Sequence, residues 1–174
     1  MKRMKWNLSI TLTILIILIS GCSQSEEEAL KEARTIAEST FNSNSVEVNQ
    51  DLEHFSLYLP NNFEIIEETQ SNLILEKSDQ TYILFYNALE ETTSELNYQA
   101  AESAGHFTLL ESFENSDRFG YIGVVSSEEE DTYELQIGVG GVKITTYTSV
   151  NDMEEDAEAM MQMANSIAYT SQEQ

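Results

Sequence analysis

The chain has 174 residues, 41% of them hydrophobic, and sets 8 Lys and Arg against 31 Asp and Glu for a formal net charge of −23. That balance excludes a nucleic-acid binder, because gripping phosphates needs a basic surface. A single cysteine leaves no intrachain disulfide, so the one domain that this length accommodates must be stable through its own core.

Residues 1–21 read as a secretory leader. Lys2, Arg3 and Lys5 form a basic start, Leu8 to Ile19 an apolar core, and Ser20-Gly21 a small-residue cleavage region. The apolar core is shorter than the roughly 20 residues a membrane-spanning helix needs, and Ser9, Thr11 and Thr13 interrupt it. Cys22 follows directly. Ile19-Ser20-Gly21-Cys22 resembles the lipobox of bacterial lipoproteins. The resemblance implies a diacylglyceryl group in thioether linkage on Cys22 and cleavage just before it. It also leaves open N-acylation, for instance by palmitate, of the new N-terminus. Two buried chains anchor stably where one binds only reversibly. The expected location is the extracytoplasmic face of the cell membrane, and the Ile, Asn and Glu-rich composition with one proline fits a Gram-positive source.

Loss of residues 1–21 removes three cations and no acid, leaving Lys31, Arg34, Lys77, Arg118 and Lys143 against 31 acids. Such a surface keeps a tethered domain soluble and off an anionic membrane, and it attracts cationic partners.

Residues 22–25 read as a lipidated tether and residues 26–50 as a helical stalk or docking helix. Ser25 is placed to cap this helix with Glu28 as capping-box partner, and Ala29, Leu30, Ala33, Ile36, Ala37 and Phe41 make a thin apolar stripe. Residues 51–170 read as the α+β domain. Strands are expected over Phe55–Leu59, Phe63–Glu68, Leu73–Leu75 and Thr81–Tyr86, the last apolar enough to be central. A helix is expected over Glu90–Ala104, stopped by Gly105. Four strands follow over His106–Phe113, Phe119–Ser126, Thr132–Val139 and Val142–Thr148, with Gly140-Gly141 as a hairpin turn. The final helix is capped by Ser149 or Asn151. Met153, Ala157, Met160, Ala164 and Ile167 form its apolar face, with Met161 and Met163 toward the edges.

The expected fold class is therefore α+β, an antiparallel sheet of about 7–8 strands covered by N- and C-terminal helices. Phe55-Ser56-Leu57-Tyr58-Leu59-Pro60 and Ala164-Asn165-Ser166-Ile167 give residues 52–169 a layout that resembles the PsbP/Mog1-like α+β sandwiches. That likeness implies protein binding over catalysis, and it carries no functional residue across.

Patterns for chemistry are sparse. His54 and His106 each sit beside a phenylalanine, and Ser103-Ala104-Gly105 lacks the flanking glycine of a nucleophile elbow. With Cys22 lipidated, no thiol is left for catalysis or metal ligation. The acidic run Glu128 to Asp131 lacks the alternating ligands and turn glycine of a calcium loop. Gly138-Val139-Gly140-Gly141-Val142 lacks the helix and the Lys that a phosphate loop requires. No catalytic, cofactor-binding or metal-binding residue is assigned, and the one assigned site is lipidation at Cys22. Eight tyrosines raise the expectation of a Tyr-lined sheet face for recognition. The leading function is a membrane-anchored, non-catalytic protein-binding or accessory module with a protein partner, cationic by charge matching. The alternatives are a cell-envelope hydrolase and a small-ligand or cation-binding lipoprotein.

Overall fold

The computed structural model describes residues 24–44, 46–129 and 131–172, with side chains through residue 167. The leader and Cys22 lie outside the described residues. Helix α1 spans Glu26–Asn42. Two short strands, β1 (Gln50–Asp51) and β2 (Ser56–Leu57), pair as a separate ribbon. Then come β3 (Glu64–Glu68), β4 (Asn72–Lys77), β5 (Gln80–Tyr86) and helix α2 (Leu96–Ala104). Strands β6 (Leu109–Glu114), β7 (Phe119–Ser126), β8 (Tyr133–Val139) and β9 (Val142–Thr148) precede helix α3 (Met153–Gln172).

The main sheet has 7 strands in the order β3-β4-β5-β9-β8-β7-β6. Every neighbouring pair is antiparallel. The fold class is α+β, as the strand and helix signals indicate. Several boundaries differ. The stretch expected to open the sheet instead pairs in the β1–β2 ribbon, apart from it. Residues 88–94 are turns, so α2 begins six residues after Glu90. There Glu90 N–H donates to Asn87 O and the Ser94 hydroxyl to Glu90 Oε2 at 2.7 Å. These local bonds compete with the helix ladder. Strand β6 starts at Leu109, three residues after His106.

One face of the sheet and the two long helices enclose the core. Leu73, Leu84, Ile144, Ile137 and Ile122 form one row across the strands, and Leu75, Tyr82, Thr146, Leu135 and Val124 the next. All ten are buried. Helix α3 lies on these rows, and α1 packs beside it. The α1 stripe is thin for a reason: Ala29, Ala33 and Ala37 are small enough to bring the helix axes close, and Phe41 fills the end. The Ser25 hydroxyl accepts from Glu28 N–H at 3.2 Å, as a cap should. Arg118 closes the other end. Its guanidinium donates to Phe41 O and, at 3.3 Å, to Ser43 O. It also lies over the Phe41 ring, 4.8 Å from the centroid. A cation there offsets the negative end of the helix dipole.

Met161 and Met163 are buried with the rest of the α3 face, not left at its edges. Helix α3 is contacted by β2 of the ribbon as well as by α1, β8 and β9. Ser166 Oγ accepts from Tyr58 N–H at 2.8 Å, and Asn165 Nδ2 donates to Thr40 O at 2.9 Å. The helix is thus held on three sides.

Candidate functional site

The described residues cover the second face of the sheet over only half its width. Opposite Tyr121 on β8 stands Gly138, and opposite Gln136 on β7 stands Gly123. A Cβ on Gly138 would lie 2.2 Å from the Tyr121 ring, and one on Gly123 would lie 2.6 Å from the Phe107 ring. The two glycines let these aromatics lie flat on the strands. Tyr98 of α2 then packs edge-on against Phe119 and Tyr121, with centroids 5.5 and 6.0 Å away. This lid covers β6 and β7 and reaches β8.

Across β5 and its neighbours nothing comparable is present among the described residues. The register aligns Ile74, Ile83, Thr145 and Gln136 in one row, and Asn72, Phe85, Lys143 and Gly138 in the next. Ile83 is 49% exposed although its strand lies inside the sheet, and Tyr147 on β9 is 61% exposed. Asn97 at the start of α2 walls, and Ile83, Phe85, Lys143 and Thr145 of these rows floor, a shallow depression of about 460 Å³ lined also by Glu134. Gln136 Nε2 donates to Glu134 Oε1 at 2.7 Å, which holds that carboxylate on the face. The β3 edge adds Glu67 opposite Ile74, and Glu64 opposite Glu76. The result is an apolar strip of Ile74, Ile83, Phe85 and Tyr147 among carboxylates, with Lys143 in its midst.

The opposite face is fixed by an ionic cluster. Asp156, fully buried in the first turn of α3, accepts from Tyr82 Oη and Thr148 Oγ1, both at 2.7 Å. Gln80 Nε2 and Lys77 Nζ also donate to it, at 2.8 and 3.1 Å. Lys77 reaches Glu155 as well, at 2.9 Å. Burial alone would lower the Lys77 pKa, but its bonds to Glu155 and Asp156 outweigh that and raise it. Burial, then the bond to Asp156, pushes the Tyr82 phenol well above its ordinary value. Each polar group in this cluster has a partner, which makes it a structural clamp between the β4–β5 hairpin and α3.

The expected recognition face of tyrosines does not form. Tyr82, Tyr121 and Tyr133 are buried, Tyr58, Tyr86 and Tyr98 are half-buried, and Tyr147 is exposed. Tyr169 falls beyond the described side chains. Of the eight, Tyr147 alone stands exposed on the bare face among the described side chains, beside Ile74, Ile83 and Phe85. His54 and His106 are both exposed. His106 Nδ1 contacts Ala104 O at 3.2 Å and its ring stacks on Phe107. Neither histidine bonds to a serine or a carboxylate among the described residues. No grouping of His, Cys, Asp and Glu there has the arrangement of a metal site. Gly140-Gly141 is a hairpin turn, with Gly140 alone left-handed at φ 53°. Gly141 is needed for space, since a Cβ would lie 2.5 Å from Asn87 O. No helix among the described residues is long and apolar enough to cross a membrane.

No family model, curated protein or solved structure matches this chain.

Proposed function

We propose that this protein is a lipid-anchored accessory protein of the extracytoplasmic membrane face, held through Cys22, whose domain binds another protein on the bare half of its sheet. One observation carries the binding reading. Tyr82 to Tyr86 is a continuous apolar run, the signature of a strand covered on both sides. The described residues cover β5 on one side only, leaving Ile83 bare beside the half-buried Ile74 and Phe85. Single exposed apolar residues are ordinary, but a contiguous strip on an inner strand marks a surface that something else covers. The depression is open and shallow, suited to a protein surface more than to an enclosed small molecule. The anchor reading rests on the leader and on the lipobox resemblance at Ile19 to Cys22.

The test is photo-crosslinking in intact cells with the full-length chain. A benzophenone amino acid replaces Ile83 in one variant and exposed Glu27 of α1 in another. A discrete protein adduct from position 83 and none from position 27 supports the reading. Adducts of equal yield from both positions, or none from position 83, overturn it.

A further inference from the structure

We infer that the partner seats a basic, amphipathic polypeptide segment on the bare face, its apolar side on Ile74, Ile83 and Phe85 and its cations toward Glu64, Glu67, Glu76 and Glu134. This deepens the proposal that the face binds a protein and rests on it.

The argument is one of charge and shape. The strip runs obliquely across β4, β5 and β9, between the bulged β3 edge and the α2 wall at Asn97. Carboxylates stand at both ends: Glu64, Glu67 and Glu76 on β3 and β4, and Glu134 on β8 opposite Tyr147. A covering surface without compensating charge would desolvate these carboxylates at a loss. A basic segment offsets that loss and gains the apolar strip as well. A second copy of this chain is disfavoured by the same logic. It would bury Glu64, Glu67, Glu76 and Glu134 of both copies in one seam, in a chain with 31 acids. Sheet-edge pairing is no better an occupant. The β3 edge carries Glu64, Glu67 and Glu68 and a register shift between Ile65 and Glu67, features that block an added strand. An acidic or neutral partner leaves the carboxylate ends unexplained.

Among the described residues the buried core runs from Ala29 to Ile167 and closes around the sheet, α1 and α3. The test therefore uses residues 23–174 in detergent-free buffer. The probe is a fluorescent amphipathic helix of Leu and Lys, about 18 residues long and with a wide apolar stripe. Companion probes carry Gln or Glu in place of Lys, and binding is read by anisotropy. The Lys helix is expected to bind, more weakly as salt rises. Ile83→Asp, and separately Glu67→Lys with Glu134→Lys, should each weaken it about tenfold or more. Glu27→Lys with Glu47→Lys makes the same change in net charge away from the face and should alter binding less than about twofold. The circular dichroism melt of each variant separates lost binding from lost folding. Equal loss from the distant pair means net charge alone and overturns the inference. So does failure of the Lys helix to bind. Equal binding of the Gln helix overturns the cationic partner while leaving a protein-binding face intact. Ile83-dependent dimers in sedimentation would make a second copy the occupant and overturn it too. The crosslinking result at position 83 does not depend on any of these outcomes, so the two readings fail separately.

Discussion

The phenol of Tyr82 donates to the buried carboxylate of Asp156 at 2.7 Å, joining an inner strand to the last helix across 74 residues of sequence. The next residue, Ile83, points the other way, onto the bare face. A single strand thus carries a buried polar contact on the helix-covered side and an exposed isoleucine on the other. The clamp lets β5 hold its register while the second face stays uncovered.

The clamp predicts unequal effects of two substitutions. Asp156→Ala leaves Tyr82, Thr148, Gln80 and Lys77 donors without their shared acceptor and should destabilise by about 3–5 kcal/mol. Tyr82→Phe removes one donor from a carboxylate that keeps three others and should cost about 1.5–3 kcal/mol. Urea unfolding of residues 23–174 measures both, and equal losses would show that the carboxylate is not the hub.

Alkaline pH should destabilise the domain through this clamp. The Lys77 pKa is raised above its ordinary 10.5 and the Tyr82 phenol is raised further. A group whose pKa is higher in the fold adds stability that is complete below the unfolded value and is lost as pH rises past it. The loss therefore begins near pH 10, when unfolded-state tyrosines start to ionise. Tyr121, raised by burial, adds to it. Ultraviolet titration should show Tyr82 and Tyr121 ionising together with loss of the near-ultraviolet dichroism, not ahead of it.

Gly138→Ala should be poorly tolerated. Its Cβ would overlap the Tyr121 ring, which Tyr98 holds from the other side. Overpacking of this kind costs about 1–3 kcal/mol. Because the ring belongs to the lid over β7 and β8, amide exchange in α2 should rise with the loss. A shift confined to β8 would mean that the lid does not depend on this contact.

Neighbouring residues on β5 should behave in opposite ways. Leu84→Ala opens a cavity in the core and should cost about 2–5 kcal/mol. Ile83→Thr keeps β-branching on an exposed position and should stay within about 0.5 kcal/mol of wild type. The same Ile83→Thr change should lower crosslinking or binding at the face. An isoleucine that can be removed without loss of stability, yet not without loss of binding, is there for the partner.

Much of this fold is legible in local signals. The Gly140-Gly141 turn, the Gly105 helix stop and the α3 apolar face each follow from a few adjacent residues whose conformational or packing needs are specific. Glu90 to Ser94 misleads because its composition suits a helix, while side-chain bonds such as Ser94 to Glu90 favour turns. Asp156 reads as one of several acids at a helix start. Its burial depends on Lys77, Gln80, Tyr82 and Thr148, which sequence spacing does not bring together. The site is hidden for a similar reason. Apolarity on both sides of β5 leads one to expect both faces covered within the fold, whereas the described residues cover one. The signal that finds it is the mismatch between an inner strand apolar on both sides and a fold with enough helix for one.

The most direct measurement is thiol labelling of the full-length chain with a membrane-impermeant maleimide, on intact cells and after purification. Cys22 is the only native thiol, so each variant reports its own site. The account predicts no labelling of wild type, because the Cys22 sulfur is in a thioether. It predicts prompt labelling of Glu27→Cys on cells. It predicts that Ile83→Cys reacts slowly on cells and fast once purified, because a partner covers the face only in place. Labelling of wild type at Cys22, silence of Glu27→Cys on cells, or equal rates for Ile83→Cys in both states would contradict it.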